Sequence, residues 1–273
     1  MGLGGHLTWT AAIREIHKKY SVGVFPCDMG GNYIKSEIFK NNPYCVDKNS
    51  DEVFTLPLDL PETNYCLKDY PDRCIQRGDK HIIEQICEHY EIQNPELKCE
   101  LYFTEEEIDF SESLLSEVSS DFLVIEPMSK DGYTVNKKYS FDKWQRVVDV
   151  LSRDIEIVQV GVDESHILNN VTSIVGKTNF RQAACVIGYS NLLMGIEGGL
   201  IHAATAVDTL AISIISGFLD PRMVSYPQNE NIYIGNHGPC GLKVACNECE
   251  EDVREHDETE IIESAFRMLE GVL

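Results

Sequence analysis

No stretch of this 273-residue sequence approaches the roughly 20 consecutive apolar residues that a membrane-spanning helix requires. The start, Met1-Gly2-Leu3-Gly4-Gly5-His6, lacks a basic segment followed by an apolar one, so it does not read as a secretion signal. The expectation is a cytoplasmic protein without a membrane span. Basic residues are scarce as well: 23 Lys and Arg stand against 45 Asp and Glu, a formal net charge of −22. Such a surface repels phosphate backbones, which argues against nucleic acid or an anionic membrane as partner. Any site for a phosphorylated ligand must then be locally positive. A G-x-G-x-x-G fingerprint after a strand, with an acidic residue about 20 positions on, is missing too, which counts against a dinucleotide-dependent oxidoreductase. No internal repeat of short period is visible.

What is present is an alternation of strand and helix patterns, the signature of α/β architecture with parallel sheets covered on both faces. Trp9, Ala12, Ile13, Ile16 and Tyr20 fall at helical spacing between His6 and Tyr20, and residues 21–25 read as a buried strand. Residues 28–99 are broken by Pro43, Pro57, Pro61 and Pro71, with one clear helix at about 80–91. Residues 104–120 are acidic and helical, and mark the end of a first domain plus a linker. Beyond them the spacing predicts strands at 122–125, 155–160, 172–175, 192–196, 211–215 and 232–234. It predicts helices at 141–151, 180–189, 200–207 and 259–269, and a loop from Glu126 to Ser140. The length suits two domains, expected at residues 1–118 and 119–273, with a ligand cleft beyond the carboxyl ends of the strands. A glycine-rich loop normally follows a first strand, yet only Met1 precedes Gly2, so either a first strand is missing from this start, which is the expectation, or the first sheet is built differently.

Gly2-Leu3-Gly4-Gly5-His6 opens a helix, where glycines admit a ligand to unpaired N–H groups and a partial positive charge. His6 titrates near neutral pH and could deprotonate an acceptor hydroxyl, or simply bond its own backbone at the helix start. Glu197-Gly198-Gly199-Leu200-Ile201-His202 follows an apolar strand and precedes a helix. Glu197 can accept hydrogen bonds from sugar hydroxyls there, Gly198 and Gly199 can admit phosphate oxygens, and His202 could face the ligand or pack. Lys137 and Lys138 lie before the helix of Trp144; Lys138 is expected to stabilise a departing diphosphate, and Lys137 to be solvated. Asp163 and Glu164 are loop acids or nucleotide contacts.

Ten cysteines are many for a cytoplasmic chain. Cys27, Cys45, Cys66, Cys74, Cys87, Cys99 and Cys185 are scattered, and read as buried small hydrophobes or free thiols. Cys240, Cys246 and Cys249 are clustered as C-x5-C-x2-C, with His237 three residues upstream, a set that could hold structural zinc or iron or remain reduced thiols.

The segment from Gly2 to Arg14 resembles the opening loop and first helix of the ADP-heptose:lipopolysaccharide heptosyltransferases, glycosyltransferase family nine. Lys138 to Trp144 is similar to that family's donor-side lysine and following helix. Glu197-Gly198-Gly199-Leu200-Ile201-His202-Ala203-Ala204 is similar to its Asp-Thr-Gly-Leu-x-His-x-Ala signature, and the Cys240–Cys249 stretch to its cysteine-bearing tail. The resemblance covers most of residues 1–15 and 120–270. It implies two Rossmann-like domains facing a cleft, the glycosyltransferase B-type fold, with an inverting mechanism and no catalytic metal. It further implies an ADP-linked nucleotide-sugar donor held by Gly4, Gly5, Lys138, Glu197, Gly198, Gly199 and His202, and a glycan or protein acceptor. Two departures stand out: the family's loop aspartate is Gly5 here, and its Asp-Thr is Glu197-Gly198. A Gly-Gly-His loop is also similar to that of the peptidoglycan UDP-N-acetylglucosamine transferase, which makes His6 the candidate base in place of the aspartate. The alternatives are a nucleotide-sugar binding module without turnover and an oxidoreductase.

Overall fold

The computed structural model describes residues 2–128 and 133–270; residues 129–132 of the expected 126–140 loop lie outside them. The chain opens on α1 (Leu3–Tyr20), which closes where Ser21 turns left-handed and returns its N–H to His17. Two parallel strands follow, β1 (Gly23–Cys27) and β2 (Val53–Pro57). A hairpin comes next, β3 (Cys66–Asp69) and β4 (Cys74–Gln76). Cys66 and Cys74 are joined across it in a disulfide, which corrects their reading as free thiols. The two helices after it start on reciprocal caps. His81 and Glu84 cap α2 (Ile82–His89), and Thr104 and Glu107 cap α3 (Glu105–Leu114).

The second half runs β5 (Phe122–Glu126), α4 (Phe141–Leu151), β6 (Glu156–Gln159), β7 (Thr172–Ser173), α5 (Phe180–Gly188), β8 (Leu192–Ile196) and α6 (Gly199–Ala206). It continues with β9 (Ala211–Ile215), β10 (Glu230–Tyr233), α7 (Asn247–Glu255) and α8 (Thr259–Glu270). Six of these strands form one parallel sheet in the order β10-β9-β8-β5-β6-β7. From β5 the chain moves outward to β6 and β7, then returns to lay β8 on the other side of β5. That reversal opens a crevice beyond the carboxyl ends of β5 and β8, the place where open α/β sheets bind ligands.

Alternate residues of each strand feed two apolar layers. Leu123, Ile125, Met194 and Ile212 face α4 and α8, where Trp144, Leu151, Ile261 and Ala265 are buried. Val124, Val158, Leu193 and Ala211 face the other way, into a layer that includes Ala184, Ile201 and Ala204 of α5 and α6. This second layer continues without interruption into Leu7, Ile13 and Ile16 of α1 and Leu56 of β2. The sheet and the first half of the chain therefore share one core. Where α1 and α6 meet, a Cβ on Gly4 would lie 3.0 Å from the Gly199 Cα, so the two helix starts touch through bare backbone. No described helix is long and apolar enough to cross a membrane.

Candidate active site

The contact between Gly4 and Gly199 brings two helix N-termini to the mouth of the crevice. Neither Gly2, which caps α1, nor Gly198, which caps α6, offers a side chain to the free N–H groups, and neither first turn holds an acidic residue. Two partial positive charges thus converge in a protein of formal charge −22.

Glu197 stands at the carboxyl end of β8 with its side chain 6% exposed. Its Oε2 is ion-paired with Lys137 Nζ, and its Oε1 lies 4.0 Å from His202 Nε2. Lys137, expected in solvent, is thus drawn into the site, where Phe218 also lies beneath its ammonium at 5.8 Å. One turn into α6, the buried His202 places Nδ1 2.6 Å from the Tyr226 hydroxyl. Tyr226 in turn lies 3.5 Å from Cys99 Sγ and packs edge-on against the His81 ring at 4.8 Å. Burial pushes the His202 imidazole down to about 4, against the opposing pull of Glu197. Burial likewise takes His81 down to about 3. Both rings are neutral at pH 7. Across the crevice, burial raises the Glu126 carboxyl at the end of β5 to about 8, so it is largely protonated at that pH.

His6, in the first turn of α1, sets Nδ1 2.9 Å from Ser36 Oγ and leans on Phe39. Burial lowers its pKa while Asp59 pulls the other way, which leaves an uncharged imidazole near two helix starts. Asp163 is exposed and engaged with its neighbours Ser165 and His166, which hold it down to about 2. Glu164 lies against Gly176.

Cys240, Cys246 and Cys249 gather their sulfurs within 4.8 Å of one another, with Cys240 Sγ and Cys249 Sγ 3.4 Å apart. The hydrogen bond shared with Cys249 holds the Cys240 thiol below its ordinary range. His237 is not part of this group; its Nδ1 bonds Asp252 at 2.9 Å. Lys137, Tyr226, His81 and Glu126 were not singled out from sequence as site residues. Only Glu126 carried a usable signal, as a carboxylate ending an apolar strand at the switch point.

Comparison with known proteins fits this geometry. The model of glycosyltransferase family 9 (heptosyltransferase) matches residues 79–249, a span holding Lys137, Glu197 and His202. Among solved structures, a family 9 glycosyltransferase from Veillonella parvula DSM 2008 superposes with a TM-score of 0.69 at 12% identity, over 98% of this chain and 95% of its own. The iron-containing dodecameric glycosyltransferase TibC from enterotoxigenic E. coli H10407 gives 0.68 at 13%, over 100% and 75%. The E. coli ADP-heptose LPS heptosyltransferase II gives 0.53 at 13%, over 70% and 62%. A search of curated proteins finds no significant match. The structural likenesses place the fold with the glycosyltransferase B-type enzymes. With the family match extending over more than half of the sequence, the chain belongs to glycosyltransferase family 9.

Proposed function

We propose that this glycosyltransferase moves a heptose-like sugar from an ADP-linked donor to a hydroxyl of a glycan or protein acceptor, with inversion and without a catalytic metal. The observation that carries the reading is the meeting of two uncapped helix N-termini beside the Lys137–Glu197 pair. TibC, whose structure in complex with ADP-D-β-D-heptose superposes here with a TM-score of 0.67, supports the choice of donor. The halves 1–118 and 119–273 serve acceptor and donor respectively.

In this reading the donor diphosphate rests on the backbone N–H groups at the starts of α6 and α1, against Gly198, Gly199, Gly4 and Gly5. Lys137, with Lys138 beside it in the same loop, offsets the charge that builds on departing ADP, as a positioned cation does in a water-poor cleft. Glu197 accepts hydrogen bonds from donor hydroxyls. His6 is neutral and takes the proton of the acceptor hydroxyl as that oxygen bonds the anomeric carbon from the face opposite ADP. The carbon–oxygen bond to the diphosphate breaks in the same step.

The three thiols are soft ligands suited to structural zinc or iron, and the lowered Cys240 thiol favours the thiolate that binds metal. Cys240, Cys246 and Cys249 would hold the ion. His237, which bonds Asp252 through Nδ1, lies outside the three-thiol group.

ADP release from ADP-heptose, followed with candidate acceptors, tests the reading. The His6→Ala variant is expected to lose about 10²- to 10⁴-fold in kcat with ADP affinity kept, the range a general base contributes. Full activity in that variant removes His6 from the mechanism.

A further inference from the structure

We propose that Tyr226 is a positioning residue of the donor site: its hydroxyl donates to His202 Nδ1 and fixes the imidazole as the tautomer whose Nε2–H is turned toward Glu197. The role assigned to that N–H rests on the reading that Glu197 and His202 face the donor.

The hydrogen-bond inventory around the phenol leads to this assignment. Tyr226 is fully buried, and its hydroxyl lies 2.6 Å from His202 Nδ1 and 3.5 Å from Cys99 Sγ. A neutral imidazole carries one N–H and one lone pair. Were the proton on Nδ1, the Nε2 lone pair would confront the Glu197 carboxylate at 4.0 Å, an unfavourable pairing in a buried site. With the proton on Nε2, that contact becomes attractive and Nδ1 is left as an acceptor. Tyr226 is the donor within reach. The nearby Thr205 hydroxyl already gives its proton to the His202 carbonyl, and so does not compete for the ring. Cys99 can pass its S–H to the phenol oxygen, which leaves each polar atom of the chain engaged.

The phenol is itself held firmly. The Tyr226 carbonyl accepts from the Asn229 N–H at 3.1 Å and from Asn231 Nδ2 at 2.8 Å. Its ring meets His81 and His202 edge-on. Cys99 and His81 belong to the first half of the chain, whereas Tyr226, His202 and Glu197 belong to the second. A line of contacts therefore runs from Cys99 through Tyr226 and His202 to Glu197 and Lys137 at the crevice. His202, whose charging the surroundings oppose, can then act as an uncharged N–H donor to a donor oxygen, aimed by a group that never touches the ligand.

Long-range proton–nitrogen correlation spectra of protein with ¹⁵N-labelled histidine read the tautomer directly, with the His202 signals assigned from their loss in His202→Gln. The wild type is expected to show His202 protonated at Nε2 alone. The Tyr226→Phe variant, which keeps the ring, is expected to show a tautomer mixture and about five- to tenfold weaker binding of ADP, the loss of one buried hydrogen bond. Wild-type His202 protonated at Nδ1 overturns the proposal without recourse to any variant, as does a Tyr226→Phe protein with both tautomer and ADP affinity unchanged. A tautomer that depends on Tyr226 in a wild type that binds no ADP upholds the hold of Tyr226 on His202. That outcome sinks the donor-site reading instead.

Discussion

Buried imidazoles set how this protein responds to acid. His202 and His81 are held neutral by burial, with pKa values of about 4 and about 3, whereas free histidine titrates near 6.5. The unfolded chain therefore binds more protons than the folded one below pH 6.5. The stability these two groups provide is complete above that value and is lost as pH falls toward their folded pKa values. Each buried ring can lower the unfolding free energy by up to about 1.4 kcal/mol per pH unit in that window. Glu126, held protonated up to about 8, works the other way in the same window and offsets about one ring. Denaturant unfolding between pH 7 and pH 5 is therefore expected to show a net fall of about one ring's slope, and His81→Asn, which retains an acceptor for the start of α2, is expected to shrink it. An unchanged slope in that variant would place the acid sensitivity elsewhere. Which of two adjacent lysines would reach Glu197 was not readable from sequence, because the path of the loop decides it. Tyr226 was hidden for a related reason: it lies 24 residues beyond His202 in the chain and meets it only through folding.

Among the elements, those buried on both faces were the most legible. β8 and β9 match the expected bounds because each is a run of five buried residues, apolar in β8 and broken in β9 only by Ser213. α4 does so because its apolar stripe is strong and Ser140 caps its start. β2 escaped notice because only Leu56 of its five residues is buried. α7 did so because its buried residues are Cys249 and Asp252, which make no apolar stripe. The tie between α3 and α5 was equally invisible, since it depends on an ion pair formed across 74 residues. Arg181 is 1% exposed and grips both oxygens of Glu107 at 2.7 Å, with further bonds to the carbonyls of Tyr102 and Glu37. Arg181 and the Thr104 N–H hold that carboxyl down to about 2. Arg181→Ala is expected to destabilise the fold by about 3–5 kcal/mol, because it strands a buried carboxylate. Removing both partners as Arg181→Met with Glu107→Leu is expected to recover most of the loss. Equal destabilisation in both proteins would show that the backbone bonds of Arg181, and not its ion pair, tie the helices.

At the scale of the whole molecule, two further junctions tie the halves besides the Arg181–Glu107 pair and the Cys99–Tyr226 contact. One is the α1–α6 contact beside the crevice. The other is the β3–β4 hairpin, where the Cys74 N–H bonds the Gly241 carbonyl at 2.8 Å and Lys243 pairs with Asp69. Gly241 is left-handed at φ +61, and a Cβ there would lie 2.2 Å from the Cys74 carbonyl oxygen, so this junction admits only glycine. The three-thiol group stands beside that second junction. Metal analysis of purified protein is expected to find about one zinc or iron per chain, the occupancy of a single structural site. A chelator should then lower Tm while residual folded protein still releases ADP. Metal-free protein with unchanged Tm would leave the thiols as packing alone. We read the crevice as a locally positive donor site within a strongly acidic protein. Titration calorimetry with ADP, GDP, UDP and NAD, on wild type and on Glu197→Ala, addresses it directly. Saturable binding of ADP by the wild type, weakened about tenfold or more in the variant as for a lost charge-assisted hydrogen bond, is the predicted result. Binding of NAD alone, or ADP binding indifferent to Glu197, would contradict it.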